Sequence, residues 1–146
     1  MYYRIRNNIG YSEIVNSAQK LEGSFRGPVV SRIHELRDSY CEFEHQHVVQ
    51  NIERKLTLVG NDSTFWVRVL GDAFSELYSY YASKVTIQKL NYSTTLKMVG
   101  ATLYYFIDPI GVIPDYDPDN GYVDDAFAFY FCVRQLPKNW SNYYPD

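Results

Sequence analysis

The segment 103–136 limits the fold of this chain more than any other part of the sequence. It consists of two apolar runs that flank a short stretch rich in Pro, Gly and Asp. Its three prolines cannot lie inside a helix, because proline lacks a backbone N–H and clashes with the preceding turn. We therefore predict a loop over 108–121 between two helices, 96–107 and 124–135. Both helices are apolar almost all round, which predicts a hairpin at the centre of a helical domain.

Apolar residues elsewhere recur three or four positions apart, the spacing of one helix face. This spacing predicts a helix over 12–22, a break at 23–28, and a helix over 65–81 after a turn at Gly60. Between 30 and 59 it predicts one long helix, or two helices with a joint near 44–47. Alternating strand patterns are absent apart from a weak one at 83–90.

The fold class that follows is all-α. We expect one domain, residues 1–146, built as a helical bundle of about five to six helices around the central hairpin at 96–136. Four large side chains of the hairpin are predicted to form the core: Leu103, Phe106, Phe127 and Phe131.

Composition excludes several classes of protein. The chain has 146 residues, 46% of them hydrophobic, which suits one globular domain. A net charge of −3 disfavours direct binding of nucleic acid, which needs a clustered basic face. The apolar runs are shorter than the roughly 20 residues of a transmembrane helix, and the first residues do not resemble a signal peptide. We expect a cytoplasmic protein whose Cys41 and Cys132 are reduced thiols.

The hairpin also resembles a known family. The residues that carry the likeness are Asp108-Pro109-Ile110, Val112-Ile113-Pro114-Asp115 and Gly121-Tyr122-Val123-Asp124-Asp125, each in order between apolar helices. This pattern is similar to the YkvA-like domain of bacteria and archaea, over residues 103–136. Gly111 stands where the family usually has an acid, and the insert at 117–120 replaces a more apolar stretch. The resemblance implies a helical hairpin and no particular reaction.

Charge is distributed unevenly along the chain. Residues 98–133 contain six aspartates and neither Lys nor Arg, whereas the remainder is slightly basic. Helix capping and Asx-turns explain Asp108, Asp115 and Asp124, and explain Asp117 and Asp119 less well. The alternation of Asp115, Asp117 and Asp119 is typical of calcium loops. However, an EF-hand would need Gly and an acid where Asn120 and Ala126 stand, so we predict no metal and no cofactor.

Three functions remain open. The first is a small interaction protein, such as an immunity protein that neutralises a basic toxin or nuclease domain through an acidic surface. The second is a metal-binding protein or enzyme that uses Asp108, Asp115, Asp124 and Asp125. No catalytic motif is present, so an enzyme is the less favoured reading. The third is a membrane-peripheral helper.

A partner surface is predicted in two places. The first is the acidic loop, and the second is the aromatic tail, because Tyr and Trp are enriched at interfaces and a polar tail offers little core. The candidate partner-binding residues are Asp115, Tyr116, Asp117, Asp119, Trp140, Tyr143 and Tyr144.

Overall fold

The computed structural model describes residues 7–88, 93–117 and 121–141. These residues form six α-helices and no strand, so the all-α, single-domain bundle is confirmed. The helices are α1 (Asn7–Gln19), α2 (Gly23–Asp38), α3 (Glu42–Gly60), α4 (Phe65–Gln88), α5 (Thr94–Ile107) and α6 (Val123–Val133).

Two predicted boundaries are wrong. Residues 23–28 belong to α2, although Pro28 lies inside the helix and removes one of its backbone hydrogen bonds. The joint in the long helical stretch lies at 39–41 rather than at 44–47. There the Glu44 side chain accepts a hydrogen bond from the Cys41 backbone N–H at 2.9 Å, and this cap fixes the start of α3.

Local signals in the sequence define three of the helix starts and turns. The Ser93 hydroxyl accepts a hydrogen bond from the Leu96 N–H at 3.1 Å and so caps α5. The Asp62 carboxylate accepts from the Thr64 N–H at 2.8 Å in the turn before α4. The loop between α5 and α6 begins after Ile107, as its prolines require.

Helix α5 lies at the centre of the bundle and packs against α2, α3, α4 and α6. The connection between α2 and α3 approaches α5 so closely that a Cβ atom at Gly100 would overlap the ring of Tyr40. At the centre of the core, the rings of Phe74 and Phe106 stack at 3.9 Å, and Phe129 meets Phe74 edge-on at 5.4 Å.

Two of the four side chains that were predicted to form the core of the hairpin are fully buried. Leu103 and Phe106 are fully buried. Phe127 and Phe131 are only half-buried, so their assignment to the core is wrong. Both lie on a face of α6 that packs only partly against the core and lines a surface cavity.

Two further features concern the cysteines and the membrane. Cys41 is exposed and Cys132 is buried, and both are free thiols. None of the helices in the described ranges is both long and apolar enough to cross a bilayer.

We predict that Phe106→Ala lowers the free energy of unfolding by about 3–5 kcal/mol, because the cavity it leaves lies in the middle of the ring stack. Chemical denaturation followed by circular dichroism measures this change. Phe43→Ala is the matched control: the Phe43 side chain is 71% exposed, so its loss should change stability by less than about 0.5 kcal/mol. Equal effects of the two substitutions would contradict the central position of α5.

Candidate functional site

A group of buried charged residues lies where α5 ends and α6 begins. Asp124 and Asp125 occupy the first turn of α6 and are each 1% exposed, and Lys55 of α3 is 6% exposed. Asp115, in the loop between α5 and α6, joins them through a salt bridge with Lys55. We call Lys55, Asp115, Asp124 and Asp125 the buried charge cluster.

Asp124 holds the first part of the loop. One of its carboxylate oxygens accepts hydrogen bonds from the Tyr105 hydroxyl at 2.6 Å and from the Ile113 N–H at 3.1 Å. The Tyr105 oxygen in turn accepts from the Val112 N–H at 3.0 Å. Gly111 has a φ of 45°, and a Cβ atom there would lie 2.8 Å from the same Asp124 oxygen. Glycine is therefore required for the loop to pass this carboxylate.

Asp115 holds the second part of the loop. Its carboxylate forms a salt bridge with the Lys55 ammonium group and a side-chain hydrogen bond with Asp125. The ammonium group also lies over the rings of Phe106, at 5.5 Å, and Tyr122, at 5.7 Å. Because a buried ammonium ion is costly unless it is paired, Lys55 fixes the position of Asp115.

Burial changes the protonation of the cluster. The pKa of Asp125 is raised well above its ordinary value, first by loss of solvation and then by the nearby charges of Asp124 and Asp115. Burial also raises the pKa of Asp124, although hydrogen bonds from Tyr105 and Ile113 oppose the change. Burial, followed by the charge of Asp115, raises the pKa of Tyr122 to about 12. We infer that Asp125 is the protonated carboxyl group of the cluster and that it donates a hydrogen bond to the Asp115 carboxylate.

The cluster is arranged to hold the loop rather than to meet a substrate. Asp124 and Asp125 each keep one buried carboxylate oxygen without a hydrogen-bond partner, but neither side chain reaches the surface. Within the described ranges, His, Cys, Asp and Glu side chains nowhere form a group of three or more that could bind a metal ion.

The loop predicted as an acidic surface is thus partly turned inward. Asp115 lies inside, bound to Lys55, and Asp108 accepts a hydrogen bond from the Ile110 N–H at 2.9 Å as a local turn. Tyr116 is 78% exposed, and Asp117 is half-exposed. Asp119 lies outside the described residues.

The aromatic tail differs from the prediction in the same way. Trp140 was expected on a contact surface because its polar segment offers little core. Instead it is buried, with its ring 6.1 Å from that of Phe129 and 6.2 Å from that of Tyr80. Tyr143 and Tyr144 lie outside the described residues.

Sequence reasoning missed Lys55 and Tyr105. A signal for Lys55 was present: it occupies the buried stripe of α3 together with Val48, Ile52 and Val59, where a lysine is out of place unless it is paired. Tyr105 gave no such signal, because a tyrosine in an apolar helix is an ordinary core residue.

Outside the cluster, this end of the bundle exposes apolar side chains. Leu58, Phe65, Ile110 and Tyr116 are 61%, 46%, 57% and 78% exposed. We call these four residues the loop-end surface. A small cavity of about 140 Å³ opens beside them. Its lining residues are Asn51, Arg54, Lys55, Leu58, Ile107 and Pro109.

Comparison with known proteins adds no relative: the chain matches no protein-family model, and no curated protein or solved structure is significantly similar to it.

We predict opposite effects from two conservative substitutions in the cluster. Asp115→Asn should lower the free energy of unfolding by about 3–5 kcal/mol at neutral pH, because it leaves the Lys55 ammonium group buried and unpaired. Asp125→Asn should keep or raise stability at the same pH, because the amide can still donate to Asp115. Denaturant titrations of the three proteins measure the difference.

The pH dependence follows from the raised pKa of Asp125. Between the unfolded and the folded pKa, only the folded state holds this proton, so its contribution is complete below the unfolded value and is lost as pH rises. The stability of the wild type should therefore fall from pH 4 upward more steeply than that of Asp125→Asn. Parallel curves would show that Asp125 is ionised in the folded protein.

Proposed function

We propose that this chain is an interaction protein that binds a partner protein through the loop-end surface. The observation that carries the proposal is the clustering of exposed apolar side chains. Of the six large apolar side chains that are exposed among the described residues, four belong to this surface. Single exposed apolar residues are common, whereas a group of them marks a site of interaction.

The segments that carry the loop-end surface meet at one end of the bundle. Leu58 and Pro109 line the same cavity. Lys55, which pairs with Asp115, lies one helical turn before Leu58. Tyr116 follows Asp115 directly, and Phe65 begins α4 after the turn that ends α3. The buried charge cluster holds the loop in place, so a partner would meet a surface that needs little ordering.

The finer form of the proposal is an inhibitor of a basic partner, such as an immunity protein against a toxin or nuclease. Its support is the net charge of −3 and the half-exposed carboxylates of Asp62, Asp108 and Asp117 at this end. The exposed Arg54 and Arg68 lie on the same side of the molecule and reduce the negative electrostatic field of these carboxylates. We therefore expect apolar contacts to provide most of the affinity and charge to act on the association rate.

The YkvA-like hairpin is likewise a proposal. What supports it is the order of α5, a proline-rich loop and a helix whose first turn carries Asp124 and Asp125. The departure at Gly111 is compatible with the fold of this chain, because a side chain there would meet the Asp124 carboxylate.

The proposal is tested by substituting residues of the loop-end surface and measuring how far partner binding weakens. Proteins captured on the tagged chain are identified by mass spectrometry, and the candidate is purified and titrated by calorimetry. The double variant Leu58→Ser, Ile110→Ser should weaken binding at least tenfold, because central interface residues cost about 1 kcal/mol or more each.

Phe43→Ser is the matched control, because Phe43 is equally exposed but lies about 22 Å from Leu58 along α3. The partner should bind this variant as it binds the wild type. Equal binding of the double variant and the wild type would exclude the loop-end surface. Binding to anionic vesicles that is lost in the double variant, without a protein partner, would favour the membrane-peripheral function instead.

A separate prediction concerns charge. If the partner is basic, Asp117→Asn combined with Asp119→Asn should slow association and flatten its dependence on salt, while the dissociation rate changes little. Surface plasmon resonance at low and high ionic strength measures both rates. An unchanged association rate at low salt would show that the partner is not recognised through the acids of this loop.

A further inference from the structure

A second cavity lies against the C-terminal half of α6, away from the loop-end surface. It measures about 600 Å³, within the range of small-molecule sites in proteins. Helix α6 and the residues that follow it supply most of the lining, and α2 supplies one side chain. The lining residues are His34, Phe127, Tyr130, Phe131, Arg134 and Gln135.

The aromatic rings in this cavity are exposed against expectation. Phe127, Tyr130 and Phe131 belong to an almost wholly apolar helix, yet all three are only half-buried. They share one face of α6 with Arg134, because their spacing follows the helical repeat. The His34 ring lies across from this face, with its centroid 5.9 Å from that of Phe131. The cavity therefore presents aromatic surfaces on two sides.

Arg134 supplies a positively charged group to the cavity. Arg134 lies over the Tyr130 ring at 5.2 Å and donates one hydrogen bond to the Tyr130 hydroxyl at 2.9 Å. A guanidinium group carries five N–H donors, so further donors remain. Within the described part of the chain, the lining of this cavity includes no carboxylate. Arg26 lies over the Phe127 ring at 5.9 Å and adds a second cation at the edge.

We propose that this cavity binds a small planar aromatic anion, such as an aromatic carboxylate. The ring of the ligand would stack on the cavity-facing surfaces of Phe127 and Phe131, with the His34 ring beside it, because aromatic side chains favour flat apolar groups. Its carboxylate would accept hydrogen bonds from Arg134, whose planar fork matches a carboxylate in two-point contact. Gln135 lies beside Arg134 and offers an amide to the same group.

The probe for this proposal is 2-naphthoate, with neutral 2-naphthamide as its matched comparison. The wild type should bind 2-naphthoate at one saturable site, measured by calorimetry, and should bind the amide more weakly. Arg134→Gln should weaken 2-naphthoate about tenfold and remove the preference over the amide, because a charge-assisted contact is lost. Arg134 is exposed, so this variant should fold normally.

Two further variants locate the site. Phe131→Leu should weaken both probes alike, since it removes the ring and leaves the cation. Arg54→Gln removes an exposed arginine from the other cavity and should leave both affinities unchanged. The proposal is overturned if 2-naphthoate does not saturate, if Arg134→Gln binds it as the wild type does, or if sedimentation shows a dimer that Arg134→Gln dissociates.

Discussion

The salt bridge between Lys55 and Asp115 is the interaction on which the rest of this structure depends. Lys55 lies in the buried stripe of α3, with an exposed fraction of 6%, between the faces of Phe106 and Tyr122. Removing an ammonium ion from water costs several kcal/mol, and only a well-placed counter-charge offsets this cost. The loop between α5 and α6 must therefore bring Asp115 inward, and its path over the bundle follows from that requirement.

The same salt bridge sets the charge of its neighbours. One lysine cannot balance three buried carboxylates, so the fully buried Asp125 keeps a proton, as its raised pKa indicates. Asp124 is stabilised differently, by the Tyr105 hydroxyl, the Ile113 N–H and its place at the N-terminal end of α6. Three of the six aspartates that make this part of the sequence acidic thus contribute little to the outer surface. Among the described residues of the loop, the large side chains that are most exposed are Ile110 and Tyr116.

The helical architecture was predictable because it depends on local signals. Apolar spacing, the Ser93 cap and the loop prolines each specify an element without reference to the rest of the chain. The joint at 39–41 was missed because Cys41 is an unusual capping residue, and the Glu44 side chain provides the contact. Whether a side chain points into the core or toward solvent, however, depends on partners that lie far away in the sequence. Asp115 reads as a surface acid until Lys55, sixty positions earlier, is placed beside it.

Trp140 was misjudged for a similar reason. Its neighbours in sequence are polar, and that favoured an exposed position, but Phe129 and Tyr80 provide a place in the core. The reverse error concerns Phe127 and Phe131. Their helix is apolar on every side, yet the bundle covers one side of it only partly, and sequence periodicity does not report which side that is.

The two ends of α6 carry opposite partial charges. The buried charge cluster lies at its N-terminal end, and the proposed ligand cavity lies toward its C-terminal end. Its N-terminal end, which carries partial positive charge, stabilises Asp124 and the interior of the loop. The cavity lies toward the C-terminal end, where the last carbonyl groups disfavour an anion. An anionic ligand there must be held by side-chain cations, and Arg134 is the arginine that lines the cavity. Because the backbone opposes the ligand charge, selectivity for an anion over its neutral analogue reports on the side-chain cations, chiefly Arg134 with Arg26 at the edge.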